Sequence, residues 1–527
     1  MFGSDANREG TMNGGNRITV RLGALACAST ITAGMLVACG SSGGTMAPIF
    51  PADLARRIDS IVEAHQDSGL FPEIAIGVSD PERGSYIRAY GVADRATGRP
   101  ADIHDRFRIG SATKTFTATA VLRLADEGKL SLDDVLEKYV PGMPNGNTIR
   151  LRDLLGMRGG VFDIAGDPEF ADQFHTSPLP HEVHDGDVLQ AIRAHADKAL
   201  PPNTRTEYSN TEYFLLGEVL KKVTGKPLRD VFDDLTTRYG LHETSYPVDT
   251  TMPTPESRGY SYDGNALVDV TSRTTPQVGG AGAMMISTIS DLVRYAPMLG
   301  RGDLLKPETF RTRTQFMSSD DKTLLYGLGI ATQGQWIGHD GATMGYNADV
   351  EYLPSRQATL VVMVNQYTPD LRPYDDRLPG VQLTAEFLWE DLVDELYPGT
   401  GSARHIGTSA PDPSLPAPAD LDGRLQQALD PNVPAAQQSL RIVGDDRDPE
   451  LITRLARAFA STGTRIHVEK TNHVRHGAMM VTGTATTGSK SSPIQIPFTV
   501  QDGTWQILGS WACKAIKTAG GSAPGCG

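Results

Sequence analysis

The sequence is poor in cysteine and in clustered positive charge. Its 527 residues include four cysteines and twelve histidines, and none of these shows a CxxC, HExxH or similar ligand spacing. The net charge is −14, and no run of Lys or Arg stands out. We therefore expect no structural metal, and neither nucleic acid nor anionic lipid headgroups as the main partner.

The composition is otherwise that of a globular protein with more than one unit. Hydrophobic residues make up 39% of the chain and charged residues 21%, which is too apolar for general disorder. Residues 398–420 are rich in Pro, Gly, Ser and Ala, which predicts an interdomain linker. This linker separates a large domain over residues 52–397 from a smaller one over residues 421–527.

The N-terminus has the pattern of an export signal. Two arginines precede an uncharged segment over residues 22–38, as in a secretory signal, and Leu-Val-Ala-Cys39 followed by Gly and Ser resembles a bacterial lipobox. We predict a lipoprotein signal peptide over residues 1–38, a lipidated Cys39 and a tether over residues 39–51. The protein would then be anchored to the outer face of the cell membrane. The alternative is an uncleaved anchor, for which about 17 residues are short.

Two cysteines remain in the mature protein besides Cys39. Cys513 and Cys526 both lie near the C-terminus. Because exported proteins meet an oxidising environment, we predict a disulfide between Cys513 and Cys526. It closes a short loop, so it would pin the tail rather than support the fold.

Strand patterns stand at both ends of the large domain, with helical patterns between them. The predicted strands are residues 74–78, 86–92, 348–353 and 358–364, in two hairpins, and the predicted helices are residues 52–66, a stretch from Ser111 and residues 213–223. This order predicts an antiparallel sheet built from both ends of the domain, with helices packed on it.

The smaller domain begins with helices and continues with strands. The predicted helices are residues 421–429 and 449–460, and the predicted strands are residues 465–469, 478–485, 494–500 and 504–511. This order predicts a small α+β domain.

Three short motifs in the large domain carry chemistry. Ser111 and Lys114 are three residues apart at a helix start, so they share a face, and a partly buried Lys can accept the Ser proton. Tyr208-Ser-Asn210 and His339-Asp340-Gly341 follow in order. Each motif is weak by itself, because Tyr-x-Asn is common in turns and Ser-x-x-Lys and His-x-Gly both recur elsewhere in this chain.

Together, the three motifs resemble those of the family of class C β-lactamases and D-alanyl-D-alanine carboxypeptidases, and the His variant is similar to its actinobacterial carboxypeptidases and related esterases. The likeness covers roughly residues 52–395. It implies an α/β (α+β) β-lactamase/transpeptidase-like fold with an antiparallel sheet and a helical subdomain. It also implies a serine hydrolase that needs no cofactor and acts on a small peptide, ester or β-lactam.

The resemblance implies a role for each motif residue. Ser111 becomes acylated, and Lys114 and Tyr208 share the acid and base work, with the identity of the base left open. Asn210 orients the substrate. His339 keeps Tyr208 polarised, Gly341 lets the strand approach the substrate, and Ala342 and Ser111 offer backbone N–H groups to the oxyanion.

Asp340 departs from the family pattern, which often has Thr or Ser at this position. An Asp that faces the site would repel a substrate carboxylate, which favours an esterase or amidase acting on a neutral acyl compound. Alternatively, Asp340 points away or pairs with a cation such as Arg273. A catalytically idle envelope protein that binds cell-wall peptides or a protein partner is the alternative function.

The smaller domain resembles the cystatin-like domain of mycobacterial low-molecular-weight antigens. Its opening LQQALDPNVPAAQQSLRIVGD and its ending TWQILGSWACKA carry the likeness. We expect Trp505 and Trp511 to be core residues and His473 and His476 to lie at the surface.

Overall fold

The computed structural model of the protein describes residues 48–67, 71–166, 184–263, 266–318, 325–367, 385–401, 413–443, 448–475, 478–501 and 503–524. The predicted signal peptide, Cys39, residues 402–412 of the linker and Cys526 lie outside these residues. Among the described helices, none has the length and apolar content needed to cross a membrane.

In chain order, the strands are β1 (Glu73–Asp80), β2 (Gly84–Asp94), β3 (Arg99–Pro100), β4 (Phe107–Arg108), β5 (Tyr260–Asp263), β6 (Ala266–Asp269), β7 (Ile286–Ser287), β8 (Met317–Ser318), β9 (Leu325–Tyr326), β10 (Ala331–Gln333), β11 (Trp336–Thr343), β12 (Tyr346–Leu353), β13 (Ala358–Val364), β14 (Thr464–Arg475), β15 (Ala478–Thr487), β16 (Lys490–Gln501) and β17 (Thr504–Ile507).

The helices are α1 (Ala52–Asp67), α2 (Thr113–Asp126), α3 (Leu151–Leu155), α4 (Asp185–Ala194), α5 (Asn210–Thr224), α6 (Leu228–Arg238), α7 (Pro276–Ala283), α8 (Ile289–Arg301), α9 (Pro307–Arg313), α10 (Ala385–Leu396), α11 (Pro418–Ala428), α12 (Leu451–Thr462) and α13 (Gly509–Thr518).

A nine-stranded antiparallel sheet forms the centre of the large domain, in the order β3-β2-β1-β13-β12-β11-β10-β9-β8. The N-terminal strand β1 pairs with β13, with Gly77 opposite Val361. The prediction that both ends of the domain build one sheet is therefore confirmed. The short strands β8, β9 and β10 extend the sheet beyond β11 and were not predicted.

Both faces of this sheet are covered. Every residue of β13 is buried, which fits its continuous apolar sequence. Val361 and Met363 pack into the core beneath α8, whereas Leu360 and Val362 pack into the core beneath α1 and α10. The sheet therefore separates two apolar cores, and the helical middle of the chain joins the first of them.

Helix α2 lies at the centre of that first core. Its residues are buried from Thr113 to Leu122, so it has no solvent face over its first turns. The buried Arg313 donates hydrogen bonds to Thr119 Oγ1 (2.8 Å) and to the carbonyls of Thr115 (3.1 Å) and Gly329 (3.0 Å). This guanidinium fixes α2 to the segment between β9 and β10.

The smaller domain is α+β, as predicted. Strands β14 to β17 form a four-stranded sheet in sequence order, and α11, α12 and α13 supply residues to its core. The predicted strand over residues 504–511 is wrong at its end, because Trp511 lies in α13. Ala512 and Ile516, one helical turn apart on α13, are buried in this core and explain the helix.

Two further features of this domain bear on the sequence predictions. Trp505 is buried, and its indole N–H donates to the carbonyl of Pro413 at 3.2 Å. Residues 413–417 therefore pack on the domain, and α11 begins at Pro418, inside the predicted linker. Cys513 is disulfide-bonded, and the pairing with Cys526 stays a prediction.

The sheet of the smaller domain also contacts the large domain. Met479 and Val481 point into the core of their own domain, whereas Met480 points the other way. Met480 is only 1% exposed and packs in the apolar cluster of α1 and α10. The contact lies on the face of the central sheet opposite α2.

Candidate active site

Ser111 lies in a turn of 3-10 helix over Gly110–Ala112 that leads directly into α2. The predicted α-helix from Ser111 thus begins two residues later, at Thr113. Lys114 follows on the first turn of α2, and its side chain is 0% exposed. Its Nζ lies 2.9 Å from Ser111 Oγ. The structure therefore brings these two residues together as the spacing predicts.

The ammonium site of Lys114 is built from uncharged acceptors. Besides Ser111, Nζ contacts Asn210 Oδ1 at 2.7 Å and the carbonyl of Gly282 at 3.0 Å. Burial lowers the pKa of Lys114 to about 7, although the negative charges of Asp163 and Asp340 partly oppose this shift. A large share of the Lys114 side chains is therefore neutral near pH 7 and able to accept a proton.

Tyr208 stands beside the Ser–Lys pair. Its ring centroid lies 4.8 Å from Lys114 Nζ, and the side chain of Ser111 is close enough to influence the pKa of its hydroxyl. Burial, together with the charge of Asp340, raises the pKa of Tyr208 well above its ordinary value. The phenol therefore remains protonated at neutral pH, and of the two residues left open by the sequence, Lys114 is the better base.

Asn210 is held between the side chains of Lys114 and Asp163. Its Oδ1 accepts from Lys114, and its Nδ2 donates to Asp163 Oδ2 at 3.1 Å. These contacts fix which way the amide faces. Glu212, two residues on, is buried and accepts the backbone N–H of Val161 at 3.3 Å, which holds the loop that carries Asp163.

His339 is buried on β11, and its hydrogen bonds do not reach Tyr208. Nε2 pairs with Tyr326 Oη at 3.1 Å, and Nδ1 pairs with the carbonyl of Asp340 at 2.6 Å. The rings of His339 and Tyr208 are 6.1 Å apart between centroids. His339 therefore does not hydrogen-bond to Tyr208 and can act on it only through space. The side chain that pairs with His339 is Tyr326.

Gly341 and Ala342 lie against the nucleophile turn. A Cβ on Gly341 would stand 2.0 Å from the carbonyl oxygen of Ile109 and 2.8 Å from the nitrogen of Ala112. Gly110 has a φ of +51°, and a Cβ on this residue would stand 2.4 Å from the backbone nitrogen of Ala342, so only glycine fits here. This close backbone contact brings Ala342 next to Ser111, where the sequence places the oxyanion donors.

Asp340 is exposed at the edge of the site. Its side chain is 58% exposed, and its Oδ1 lies 3.4 Å from His339 Nδ1. Desolvation opposes ionisation, but His339 and Lys114 outweigh it and lower the pKa of Asp340. Among the residues described, it forms no ion pair with Arg273, so that alternative is wrong. In the pairing of β11 with β12, Asp340 lies opposite Asp349, on the face of the sheet away from His339, and its negative charge still raises the pKa of both Lys114 and Tyr208.

Asp163, Glu212 and Tyr326 were missed by the sequence reasoning. Asp163 and Tyr326 lie outside the three motifs, although Tyr326 opens the YGLGI stretch that contributes to the family resemblance. Glu212 lies two residues after Asn210, and an acidic residue directly before the predicted helix, in the first turn of α5, was the available signal. Within the described residues, no group of His, Cys, Asp or Glu is arranged to hold a metal ion.

Comparison with known proteins extends these observations. The sequence model of a family described as Beta-lactamase matches residues 58–383, and one described as Low molecular weight antigen MTB12, C-terminal domain, matches residues 414–523. A β-lactamase from Pseudomonas fluorescens is 26% identical over 357 residues, which is 60% of this chain and 95% of that protein.

Two solved structures are similar over the same region. A D-stereospecific amidohydrolase from Streptomyces sp. has a TM-score of 0.53 and 28% identity, covering 59% of this chain and 94% of its own. A penicillin-binding protein from Bacillus halodurans has a TM-score of 0.51 and 26% identity, covering 58% of this chain and 94% of its own.

Proposed function

The chain belongs to the beta-lactamase family, and on that premise we propose that this serine hydrolase cleaves ester or amide bonds through an acyl-enzyme on Ser111. The observation that carries the proposal is the 2.9 Å contact between Ser111 Oγ and a fully buried Lys114 whose pKa falls to about 7. A neutral amine at this distance is positioned to take the hydroxyl proton as Oγ attacks a carbonyl.

Acylation then proceeds with the residues in place. Ser111 Oγ bonds to the carbonyl carbon and its proton passes to Lys114 Nζ. The bond to the leaving group breaks, and the leaving group takes a proton from the Tyr208 hydroxyl, which is replenished from the Lys114 ammonium. The N–H groups of Ser111 and Ala342 bind the oxyanion, each worth about 3 kcal/mol to the transition state.

Deacylation reverses these roles with water. Lys114, neutral again, accepts a proton from the attacking water through Tyr208. The ester bond to Ser111 then breaks, Ser111 Oγ takes the proton from Lys114, and the acid product leaves. Asn210, fixed by Lys114 and Asp163, contacts the acyl side of the substrate.

We place the activity with esterases and amidases rather than with carboxypeptidases or β-lactamases. The exposed Asp340 carboxylate stands where related enzymes often have Thr or Ser, and it repels a substrate carboxylate. The similarity to a D-stereospecific amidohydrolase supports amide cleavage.

The decisive experiment uses 4-nitrophenyl acetate, an uncharged ester. The wild type should hydrolyse it, and Ser111→Ala should lose at least about 1000-fold in kcat/KM. Ser60→Ala, on the exposed face of α1, is the matched control and should keep full activity. If neither the ester nor a penicillin is turned over or bound covalently, the idle, ligand-binding alternative replaces the enzyme.

We also propose that the enzyme is a lipoprotein on the outer face of the cell membrane. The lipobox-like sequence that ends at Cys39 supports this location. Cys39→Ser should move the protein from the detergent-rich to the aqueous phase in a Triton X-114 partition of whole cells. An unchanged distribution would contradict lipidation and favour an uncleaved anchor over residues 22–38.

A further inference from the structure

Acylation forms an ammonium on Lys114, in a buried site whose direct hydrogen-bond partners in the described structure are uncharged. These partners are Ser111 Oγ, Asn210 Oδ1 and the carbonyl of Gly282. A buried charge without a counter-charge is costly, so a nearby negative group would favour this step. We propose that Asp163 is a positioning residue that stabilises the Lys114 ammonium through the Asn210 amide. The inference rests on the proposed acyl-enzyme function and deepens it.

A chain of hydrogen bonds joins Asp163 to Lys114. Lys114 Nζ donates to Asn210 Oδ1 at 2.7 Å, and Asn210 Nδ2 donates to Asp163 Oδ2 at 3.1 Å. Because the oxygen is the negative end of the amide dipole, a carboxylate on the nitrogen side polarises the amide and makes Oδ1 a stronger acceptor. The ammonium form of Lys114 therefore gains more from this chain than the neutral amine does.

The Asp163 carboxylate is itself held from its other side. Its Oδ1 accepts the backbone N–H of Ala165 at 3.2 Å and the hydroxyl of Thr211 at 3.4 Å. That hydroxyl also accepts the backbone N–H of Ile164 at 3.0 Å, and Thr211 is buried. These contacts keep Asp163 Oδ2 directed toward Asn210, so the loop and the first turn of α5 are fixed to each other at this point.

Among the described residues, Asp163 and Asp340 are the carboxylates that act on Lys114, and their positions differ. Both oppose the lowering of the Lys114 pKa by burial, Asp163 more than Asp340. Asp340 is 58% exposed and lies opposite Asp349, so it acts from the far face of β11. Asp163 is one amide away along hydrogen bonds. It is close enough to stabilise the ammonium, and because Asn210 stands between them, it does not hold the lysine permanently charged.

The test is the pH profile of kcat/KM for 4-nitrophenyl acetate, measured on the full-length protein. Asp163→Asn removes the negative charge, so Lys114 loses its proton at a lower pH. The midpoint of the rise in kcat/KM should move to the acid side by at least about half a pH unit. The plateau above it should fall about tenfold, because the ammonium formed in acylation is less stable. A merely structural role would lower the plateau and leave the midpoint in place.

Two further variants separate position from charge. Asp163→Glu keeps the charge, so the midpoint should stay within about 0.2 pH units of the wild type. Its longer side chain cannot keep the contacts with both Asn210 and Ala165, and the plateau should fall at least about fivefold. Asp430→Asn is the matched control, because Asp430 Oδ1 likewise accepts a backbone N–H and a side-chain amide, both from Asn432 at 2.9 Å. It lies in the smaller domain and should keep the wild-type profile.

A double-mutant cycle tests the route through Asn210. Asp163→Asn and Asn210→Ala break the same chain of hydrogen bonds, so their losses in the plateau of kcat/KM should be far from additive when the two are combined. Additive losses would show that Asp163 does not act through the Asn210 amide and would overturn the proposed route.

The failure of this proposal differs from the failure of the hydrolase. If folded Asp163→Asn keeps the wild-type midpoint, or Asp163→Glu keeps full activity, the role of Asp163 is overturned and the hydrolase stands. If circular dichroism shows that Asp163→Asn is unfolded, the plateau and midpoint of Asp163→Glu decide. If the wild type neither cleaves the ester nor is acylated at Ser111, both proposals fall.

Discussion

Lys114 carries its amino group into a wholly buried site whose hydrogen-bond acceptors are a hydroxyl, an amide and a backbone carbonyl. The lack of a directly paired carboxylate allows burial to dominate its pKa. The same side chain bonded to an Asp would stay charged and could not act as a base. In the described structure, Lys114 can therefore act as a base because no carboxylate directly contacts its amino group.

This environment predicts the pH dependence. Since Lys114 must be neutral to accept the Ser111 proton, kcat/KM for an uncharged ester should rise about tenfold per pH unit below pH 7 and level off above it. The pH profile from 5.5 to 9 measures this. Lys114→Arg should be inactive throughout, because a guanidinium does not lose its proton in this range. A flat profile, or an active Lys114→Arg enzyme, would contradict Lys114 as the base.

At the residue scale, the sequence identified the motif residues that meet in the site, but not the residues that hold them in position. The three motifs are identifiable because their order and local spacing are shared across a family. Asp163 and Tyr326 act through contacts between distant segments, Asp163 on Asn210 and Tyr326 on His339. Such contacts leave no local pattern, so only the folded chain shows them.

At the scale of elements, the site depends on how closely β11 approaches the turn that carries Ser111. Gly110 lies against the backbone of Ala342, and Gly341 lies against the backbone of Ile109. Both contacts are too close to admit a Cβ. The long strands and helices were predictable from periodicity, because β1, β2, β12 and β13 alternate or run apolar and α5 ends at Gly225 in the left-handed conformation. Strands β8 to β10 are too short for any pattern to reveal them.

This contact predicts the effect of Gly341→Ala. The new methyl group would meet the Ile109 carbonyl, a backbone atom that cannot rotate away, so β11 must shift from the nucleophile turn. We expect kcat/KM to fall at least about 100-fold, as for a 1 Å misplacement of catalytic groups, while the protein stays folded. Steady-state kinetics and circular dichroism check this.

Gly186→Ala is the matched control for that substitution. Gly186 lies in α4, and a Cβ there meets nothing within 4 Å. This variant should keep wild-type activity. Equal activity of Gly341→Ala and Gly186→Ala would show that the close approach of β11 has no catalytic role.

At the scale of the whole molecule, the predicted family and the predicted fold of each domain are confirmed. The contact between the two domains could not be predicted from composition. A Pro- and Gly-rich segment suggested domains joined only by a flexible linker. The structure instead buries Met480 of β15 between α1 and α10 of the large domain. One apolar residue on an otherwise mixed strand is too weak a signal to predict docking.

Met480 therefore gives a prediction about domain docking. Met480→Asp places a carboxylate in an apolar cluster, and we expect it to weaken the contact by about 2–5 kcal/mol. The radius of gyration from small-angle X-ray scattering should increase and proteolysis within residues 398–420 should accelerate, with ester hydrolysis unchanged. Met480→Leu keeps the apolar volume and should remain docked. Identical scattering from all three proteins would show that this contact does not hold the domains.

The measurement that tests the central claim most directly is intact-mass analysis after treatment with an uncharged fluorophosphonate, a reagent that phosphonylates activated serines. The account predicts one adduct, mapped by peptide sequencing to Ser111, which forms faster as the pH rises through 7 and is absent from Ser111→Ala. An adduct of equal yield in Ser111→Ala, or labelling of a different residue in the wild type, would contradict Ser111 as the nucleophile.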